Sequence, residues 1–125
     1  MKKEIDLPKM EITIDGYFIV VKYKKNVTIE RDDAELFTQS LYENTFNECK
    51  YVQLSDVREM TTMSREARDY FAEKGGQIVK YSAILLNDGI QKTLANMFSM
   101  FSKPKVETKY FTNEKNAIDW LNANL

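Results

Sequence analysis

The stretch "LSDVREMTTMSREARDYF", residues 54–71, decides the fold, because it holds the end of a strand and the start of a helix. An apolar run ends at Asp56, and a loop rich in Met and Thr leads to Ser64. Beyond Ser64, apolar residues such as Ala67 and Phe71 recur at helical spacing, and serine is a favoured N-cap. A strand joined to a helix by a short loop is the repeating unit of α/β proteins, so the stretch predicts that class.

The chain before this stretch predicts a β-hairpin. "MEITID" (10–15) and "YFIVVKYK" (17–24) flank Gly16, and an Asp-Gly pair suits a tight turn that needs positive φ. The second of these strands is apolar on both faces near its middle, which predicts cover on both sides. Three more strands are predicted at "KYVQLSDV" (50–57), "YSAILLN" (81–87) and "VETKYF" (106–111).

Helices are predicted between these strands and after the last one. Asp32 is the predicted cap of the first helix, with Glu35 in the capping-box position, and Thr112 is the predicted cap of the last. The element order is therefore β-β-α-β-α-β-α-β-α. It predicts a single α/β domain over residues 1–125, with a mixed sheet of about five strands and flanking helices.

Composition excludes several classes of protein. The 125 residues carry a formal net charge of -1, so the chain lacks the excess of Lys and Arg that nucleic-acid binding requires. Its first residues have no apolar segment typical of a signal peptide, and no apolar run approaches the ~20 residues of a membrane span. The one cysteine, Cys49, cannot form an intrachain disulfide. We expect a cytoplasmic protein with neither nucleic acid nor membrane as its partner.

The residues that most often carry catalysis are missing from the sequence. It contains no histidine, the commonest general base near neutral pH and a common zinc ligand. Its one cysteine has no histidine to pair with, and no glycine-rich phosphate loop precedes a helix. The sequence therefore predicts a non-enzyme that uses no cofactor and no metal.

Two groups of polar residues lie at the end of the predicted strand 50–57 and in the loop after it: charged residues from Asp56 onward, and hydroxyl residues up to Ser64. Asp56, Arg58 and Glu59 could form a polar anchor in a pocket at the strand's carboxyl end, or Arg58 could form a structural ion pair with Asp56 or with a helix residue such as Glu66. Ser64 is predicted as a helix cap, with phosphorylation as the alternative. The other candidate phosphoacceptors in the loop are Thr61 and Thr62.

Methionine and phenylalanine form a third candidate group. Met60 and Met63 lie in the loop, and a predicted helix after "YSAILLN" has an apolar stripe that Met100 widens. A helix with apolar residues on more than one face predicts contact with a partner or an apolar ligand, and core packing is the alternative. The candidate surface is Asp56, Arg58, Met60, Met63, Met97, Phe98, Met100 and Phe101.

Three segments carry a resemblance to a known family: "SREARDYFAE" (64–73), "YSAILLNDGIQKTLANMFSMFSKP" (81–104) and "KYFTNEKNAIDWL" (109–121). With the element order, they resemble the STAS or SpoIIAA-like domains, and most closely bacterial STAS-like proteins with no assigned function. The resemblance implies a mixed α/β fold. In the regulatory members a serine directly after an aspartate is phosphorylated. Here Val57 and Arg58 follow Asp56, so the resemblance does not imply that switch.

Two functions follow from these observations. The first is a non-catalytic regulatory or protein-interaction module, with a protein partner or a second copy of the chain bound at the candidate surface. The alternative is a carrier for a small apolar or acyl ligand, which predicts an enclosed pocket with Arg58 near its mouth.

Overall fold

The computed structural model describes residues 2–46, 48, 50–74, 77–87 and 106–125. The strands are β1 Lys2–Asp6, β2 Met10–Asp15, β3 Phe18–Tyr23, β4 Thr28–Ile29, β5 Tyr51–Asp56, β6 Thr62–Met63, β7 Val79–Leu85 and β8 Glu107–Phe111. The described helices are α1 Arg31–Asn44, α2 Arg65–Lys74 and α3 Glu114–Ala123.

Six strands form the main sheet in the order β1-β2-β3-β5-β7-β8. The pairs β1–β2 and β2–β3 are antiparallel, and the pairs β3–β5, β5–β7 and β7–β8 are parallel. The predicted mixed α/β sheet is therefore confirmed. Parallel strands need crossover connections, and here α1 and α2 follow β3 and β5 in the chain. The short strands β4 and β6 pair in a separate two-stranded sheet.

The sheet gains an edge strand that the sequence did not predict. β1 has the sequence KKEID, in which Ile5 is the one apolar residue, so it has no hydrophobic run. Hydrogen bonding to β2 holds it in place, with Lys2 opposite Asp15 and Ile5 opposite Ile12. Charged edge strands of this kind resist pairing with other chains.

Helices α1 and α2 cover one face of the sheet. Ala34 and Phe37 of α1 and Ala67 of α2 are buried there against Ile19 and Val21 of β3. Phe37 and Phe71 meet edge to face with 5.6 Å between ring centroids, which joins the two helices.

Helix α3 covers the other face. Ala117 and Leu121 are fully buried against Val52 and Leu54 of β5 and the small Ala83 of β7. Trp120 lies at the margin of this second core, with its ring centroid 5.7 Å from that of Tyr81. The two-sided apolar pattern of the central strands thus corresponds to two cores, one on each face.

Two predicted helix caps are wrong by one or two positions. α1 begins at Arg31, so Asp32 lies in its first turn, and the backbone N–H of Glu30 donates to Asp33 Oδ2 at 2.8 Å. α3 is capped by Asn113, whose Oδ1 accepts from the Asn116 N–H at 3.0 Å, and not by Thr112. Cap-forming side chains stand in adjacent positions in both segments, so their spacing alone did not select one.

The helix predicted to follow β7 lies outside the described residues. The same holds for Met97, Phe98, Met100 and Phe101 of the candidate surface. Within the described part of the chain, no helix is long and apolar enough to span a membrane.

Candidate functional site

A polar corner follows β5 at the carboxyl end of the parallel strands. Asp56 is the last residue of β5 and lies level with Lys22 of β3 and Leu85 of β7. Its alternation with Val52 and Leu54 places its side chain on the α3 face. We call Asp56, Arg58 and Glu114 the carboxyl-edge corner.

Arg58 turns back onto Asp56 and forms a bidentate ion pair. Arg58 Nε donates to Asp56 Oδ1 at 2.9 Å, and Arg58 Nη2 donates to Oδ2 at 2.8 Å. The backbone N–H of Arg58 also donates to Oδ1 at 3.1 Å. Of the two predicted partners of Arg58, Asp56 and Glu66, the structure selects Asp56.

Glu114 adds a second carboxylate to the corner. Its Oε1 lies 3.9 Å from Arg58 Nη2, a looser contact than that of Asp56. Asp56 is buried, whereas the side chains of Arg58 and Glu114 are 39% and 56% exposed. From the sheet outward, the corner therefore consists of the buried Asp56 carboxylate, the half-exposed Arg58 guanidinium and the exposed Glu114 carboxylate.

These contacts fix the charge of Asp56. Burial alone would raise the pKa of Asp56, but hydrogen bonds from the Arg58 side chain and backbone, with the charges of Arg58 and Lys22, lower it below its usual value. The pKa of Arg58 is raised, chiefly by its hydrogen bonds to Asp56. Asp56 is therefore a carboxylate and Arg58 a guanidinium at neutral pH.

Neighbouring backbone contacts hold the Arg58 turn in place. Asn87 Nδ2 donates to the Arg58 carbonyl oxygen at 2.6 Å, and the Val57 N–H donates to the Leu85 carbonyl oxygen at 3.1 Å. Val57 itself is buried in the first core. The turn is thus tied to the end of β7, and Arg58 projects from a rigid base.

Met60 and Met63 do not form the exposed surface that the sequence suggested. Met60 is 3% exposed and belongs to the first core, and Met63 packs against that core while partly buried. Both side chains fill the space beneath the loop, the alternative that the sequence analysis left open. For Met60 the prediction of a binding surface is wrong, because its side chain has no accessible face.

The three loop hydroxyls lie on a segment that is pinned to β4. The backbone N–H groups of Thr61 and Ser64 donate to the carbonyl oxygens of Val27 and Ile29, both at 2.8 Å, and Thr62 is in β6. Ser64 Oγ accepts from the Ala67 N–H at 3.1 Å, which confirms its predicted capping of α2. Phosphorylation of any of the three stays a prediction.

This cap gives a testable prediction. We expect Ser64→Ala to lower the free energy of unfolding by about 1 kcal/mol, because the Ala67 N–H loses its acceptor. Ser64→Asp keeps an acceptor and should retain most of the stability. Urea unfolding measures both, with Thr61→Ala, at an exposed position of the same loop, as the control. Equal losses for Ser64→Ala and Thr61→Ala would contradict the capping role.

A concavity lies at the opposite edge of the sheet from the corner. It has a volume of about 670 Å³, and its lining does not include Arg58. Its lining residues are Asp15, Gly16, Tyr17, Phe18, Lys50, Lys80 and Leu125. The prediction of a pocket with Arg58 at its mouth does not describe this concavity.

The corner can bind, but it offers little for proton transfer. Both members of its central ion pair are locked in their charged forms. Among the described residues, no group of three or more Asp, Glu or Cys side chains is placed to hold a metal ion.

Sequence reasoning missed Glu114 and Asn87, because their proximity to Arg58 depends on three chain segments meeting at one sheet edge. The sole sequence signal was position: Asn87 ends the predicted strand 81–87, and Glu114 follows the predicted strand 106–111.

The mixed sheet with helices on both faces has a SpoIIAA-like α/β fold, as a solved structure shows. The structure is similar to the crystal structure of an uncharacterized protein of the DUF3478 family with a SpoIIAA-like fold, from Shewanella loihica PV-4. The TM-score is 0.61 and the identity 21%, over 97% of this chain and 95% of that chain. The resemblance seen in the sequence is confirmed at the level of the fold.

The family is defined more narrowly by the sequence. Residues 10–124 match the family model described as "Domain of unknown function (DUF7793)", and the chain belongs to this family. No curated protein matches the sequence.

Proposed function

We propose that the protein is a non-catalytic interaction module that binds a protein partner at the carboxyl-edge corner. The observation that carries the proposal is the bidentate ion pair of Arg58 with the buried Asp56, which leaves the guanidinium 39% exposed. An arginine held in one conformation loses little entropy when a partner binds it.

The remaining donors of Arg58 suit an acidic partner group. Asp56 engages Nε and Nη2, and guanidinium groups carry five N–H donors in all. The other donors are available to a carboxylate or a backbone carbonyl of the partner. Glu114, at 3.9 Å and largely exposed, is the group that such a partner would displace. Arginine is also enriched among residues that dominate binding energy in protein interfaces.

The charge state of the corner favours binding over acid–base chemistry. A general acid or base works best with a pKa near the working pH. The pKa of Asp56 is shifted away from neutrality, and the pKa of Arg58 is raised further above it. Both shifts support a role as fixed charges.

The proposal predicts that Arg58→Ala loses the partner. We expect recovery of the bound partner from an extract of the source cells to fall by about tenfold or more, the usual effect of removing an interface hot spot. Quantitative mass spectrometry of material captured on the purified protein measures this. Arg31→Ala is the matched control, because Arg31 is an exposed arginine in an i,i+4 ion pair on α1. Equal capture by the two variants would contradict the proposal.

A carrier of a small apolar or acyl ligand is the second candidate. The concavity of about 670 Å³ has Tyr17, Phe18 and Leu125 in its lining, but it is open to solvent and is not the enclosed pocket that a carrier predicts. Native mass spectrometry of protein purified from its source distinguishes the candidates. A small-molecule adduct lost on denaturation favours the carrier. A complex with another chain, or a dimer, favours the interaction module.

A further inference from the structure

The guanidinium of Arg58 has two edges that can each bind a carboxylate, and Asp56 occupies one of them. Asp56 accepts from Nε and Nη2, at 2.9 and 2.8 Å. The end edge, formed by Nη1 and the second N–H of Nη2, donates no hydrogen bond to a described residue. We propose that this end edge binds an Asp or Glu side chain of the partner and that Glu114 is a built-in competitor for it. The inference rests on the proposed function and deepens it, because it names the partner's group.

The shape of the end edge selects a carboxylate. A guanidinium edge presents two parallel N–H donors, and a carboxylate matches them with its two oxygens at about 2.7–2.9 Å. A backbone carbonyl has one oxygen and would leave one of the two donors unmatched. The Arg58 side chain is 39% exposed, and its hydrogen bonds to Asp56 fix the plane of the guanidinium. The end edge is therefore oriented before a partner arrives.

Glu114 lies near the end edge without a hydrogen bond to it. Its Oε1 is 3.9 Å from Arg58 Nη2, beyond hydrogen-bond distance, so the two groups interact by charge alone. The Glu114 side chain is 56% exposed and belongs to the first turn of α3, where the helix dipole favours a carboxylate. Glu114 therefore loses little when it turns away from Arg58. It is a weak internal substitute for the carboxylate that the partner supplies.

The charges near the ion pair make Glu114 the group that controls the approach of an acidic partner. The charges of Lys22, Glu59 and Glu114 act on the ion pair and shift its pKa values. With Asp56 and Arg58, they make three carboxylates against two cations. Without Glu114 the two signs balance, so a partner carboxylate no longer meets an excess of negative charge. Exposed ion pairs are weak, so we expect Glu114 to weaken the binding of a carboxylate by about two- to fivefold.

A pair of short peptides with blocked ends tests the end edge directly. One peptide consists of glutamate, and its counterpart consists of glutamine, which offers carbonyl oxygens without the charge. The amide signals of residues 57–59 in NMR spectra report binding at the corner. We expect the glutamate peptide to shift these signals and the glutamine peptide to leave them unchanged. Arg58→Lys keeps the positive charge without the two-donor edge and should bind the glutamate peptide at least fivefold more weakly.

A matched pair of variants tests the competition. Glu114→Gln keeps the size of the side chain and should lower the dissociation constant of the glutamate peptide by about two- to fivefold. Asp119→Asn removes one carboxylate elsewhere on α3, from an exposed pair with Lys115, and should change that constant by less than about 1.5-fold.

Two results would overturn the inference: equal shifts by the two peptides, or equal dissociation constants for Glu114→Gln and Asp119→Asn. If either result came with loss of the partner by Arg58→Ala, the carboxylate would be rejected and the interaction module would stand. Retention of the partner by Arg58→Ala would reject the interaction module itself, so the two failures are distinguishable.

Discussion

Leu121→Ala is expected to lower the free energy of unfolding by about 3 kcal/mol, the largest effect that we predict. Leu121 is 0% exposed and lies in the smaller of the two cores, against Val52 and Leu54 of β5. One short helix supplies the cover on this face among the described residues, so the cavity has few neighbours that can collapse into it. Urea unfolding followed by circular dichroism gives the measurement.

The same substitution should also disturb the corner. Glu114 begins α3, so loosening that helix moves Glu114 away from Arg58. The control is Leu36→Ala on α1, where the side chain is 40% exposed and the loss should stay below about 1 kcal/mol. If the two leucine variants were equally stable, α3 would not be packed as described.

Asp56→Asn is expected to lower the free energy of unfolding at pH 7 by about 2 kcal/mol, because charge-assisted hydrogen bonds to Arg58 are lost inside the protein. The effect is smaller than for a fully buried pair, since Arg58 is 39% exposed and water screens its charge.

The loss should depend on pH in one direction. The pKa of Asp56 is lower in the folded protein than in the unfolded chain, so its carboxylate contributes stability above the unfolded value of about 4. That contribution disappears as the pH falls through the folded value. The difference in free energy of unfolding between wild type and Asp56→Asn should therefore be largest at pH 7 and should shrink below about pH 4.

Asp119→Asn is the matched control for this titration. Asp119 pairs with Lys115 at 2.7 Å, but both side chains are more than half exposed. Its replacement should cost less than about 0.5 kcal/mol at any pH. A gap for Asp56→Asn that did not change with pH would mean that its charge contributes nothing to folding.

The strands and helices with strong apolar patterns were predictable from the sequence. The period of two in β2 and β3 and the helical spacing of Ala67 and Phe71 correspond to the structure, because these residues are the ones that the sheet and helices bury. β1 was missed for the opposite reason: its charged side chains carry no burial signal, and backbone pairing with β2 alone defines it.

The candidate site was predictable in part. Asp56 and Arg58 could be singled out because they follow a buried strand within two positions of each other. Their partners Glu114 and Asn87 could not, since contacts across 29 or more positions depend on the order of strands in the sheet. Met60 was misplaced because a flexible apolar side chain in a loop suits a core as well as a surface, and burial decided between them.

The measurement that tests the account most directly is a ¹³C NMR titration of the Asp56 side-chain carboxyl carbon. The account holds that the carboxyl-edge corner is a pair of fixed charges that presents Arg58 to a partner. It predicts that the carboxyl carbon of Asp56 keeps the chemical shift of a carboxylate from pH 8 down to about pH 4. The Asp56 side chain should titrate with a pKa below the usual aspartate pKa. Titration between pH 5 and pH 8 would contradict the account, because Asp56 would then be able to exchange a proton under physiological conditions.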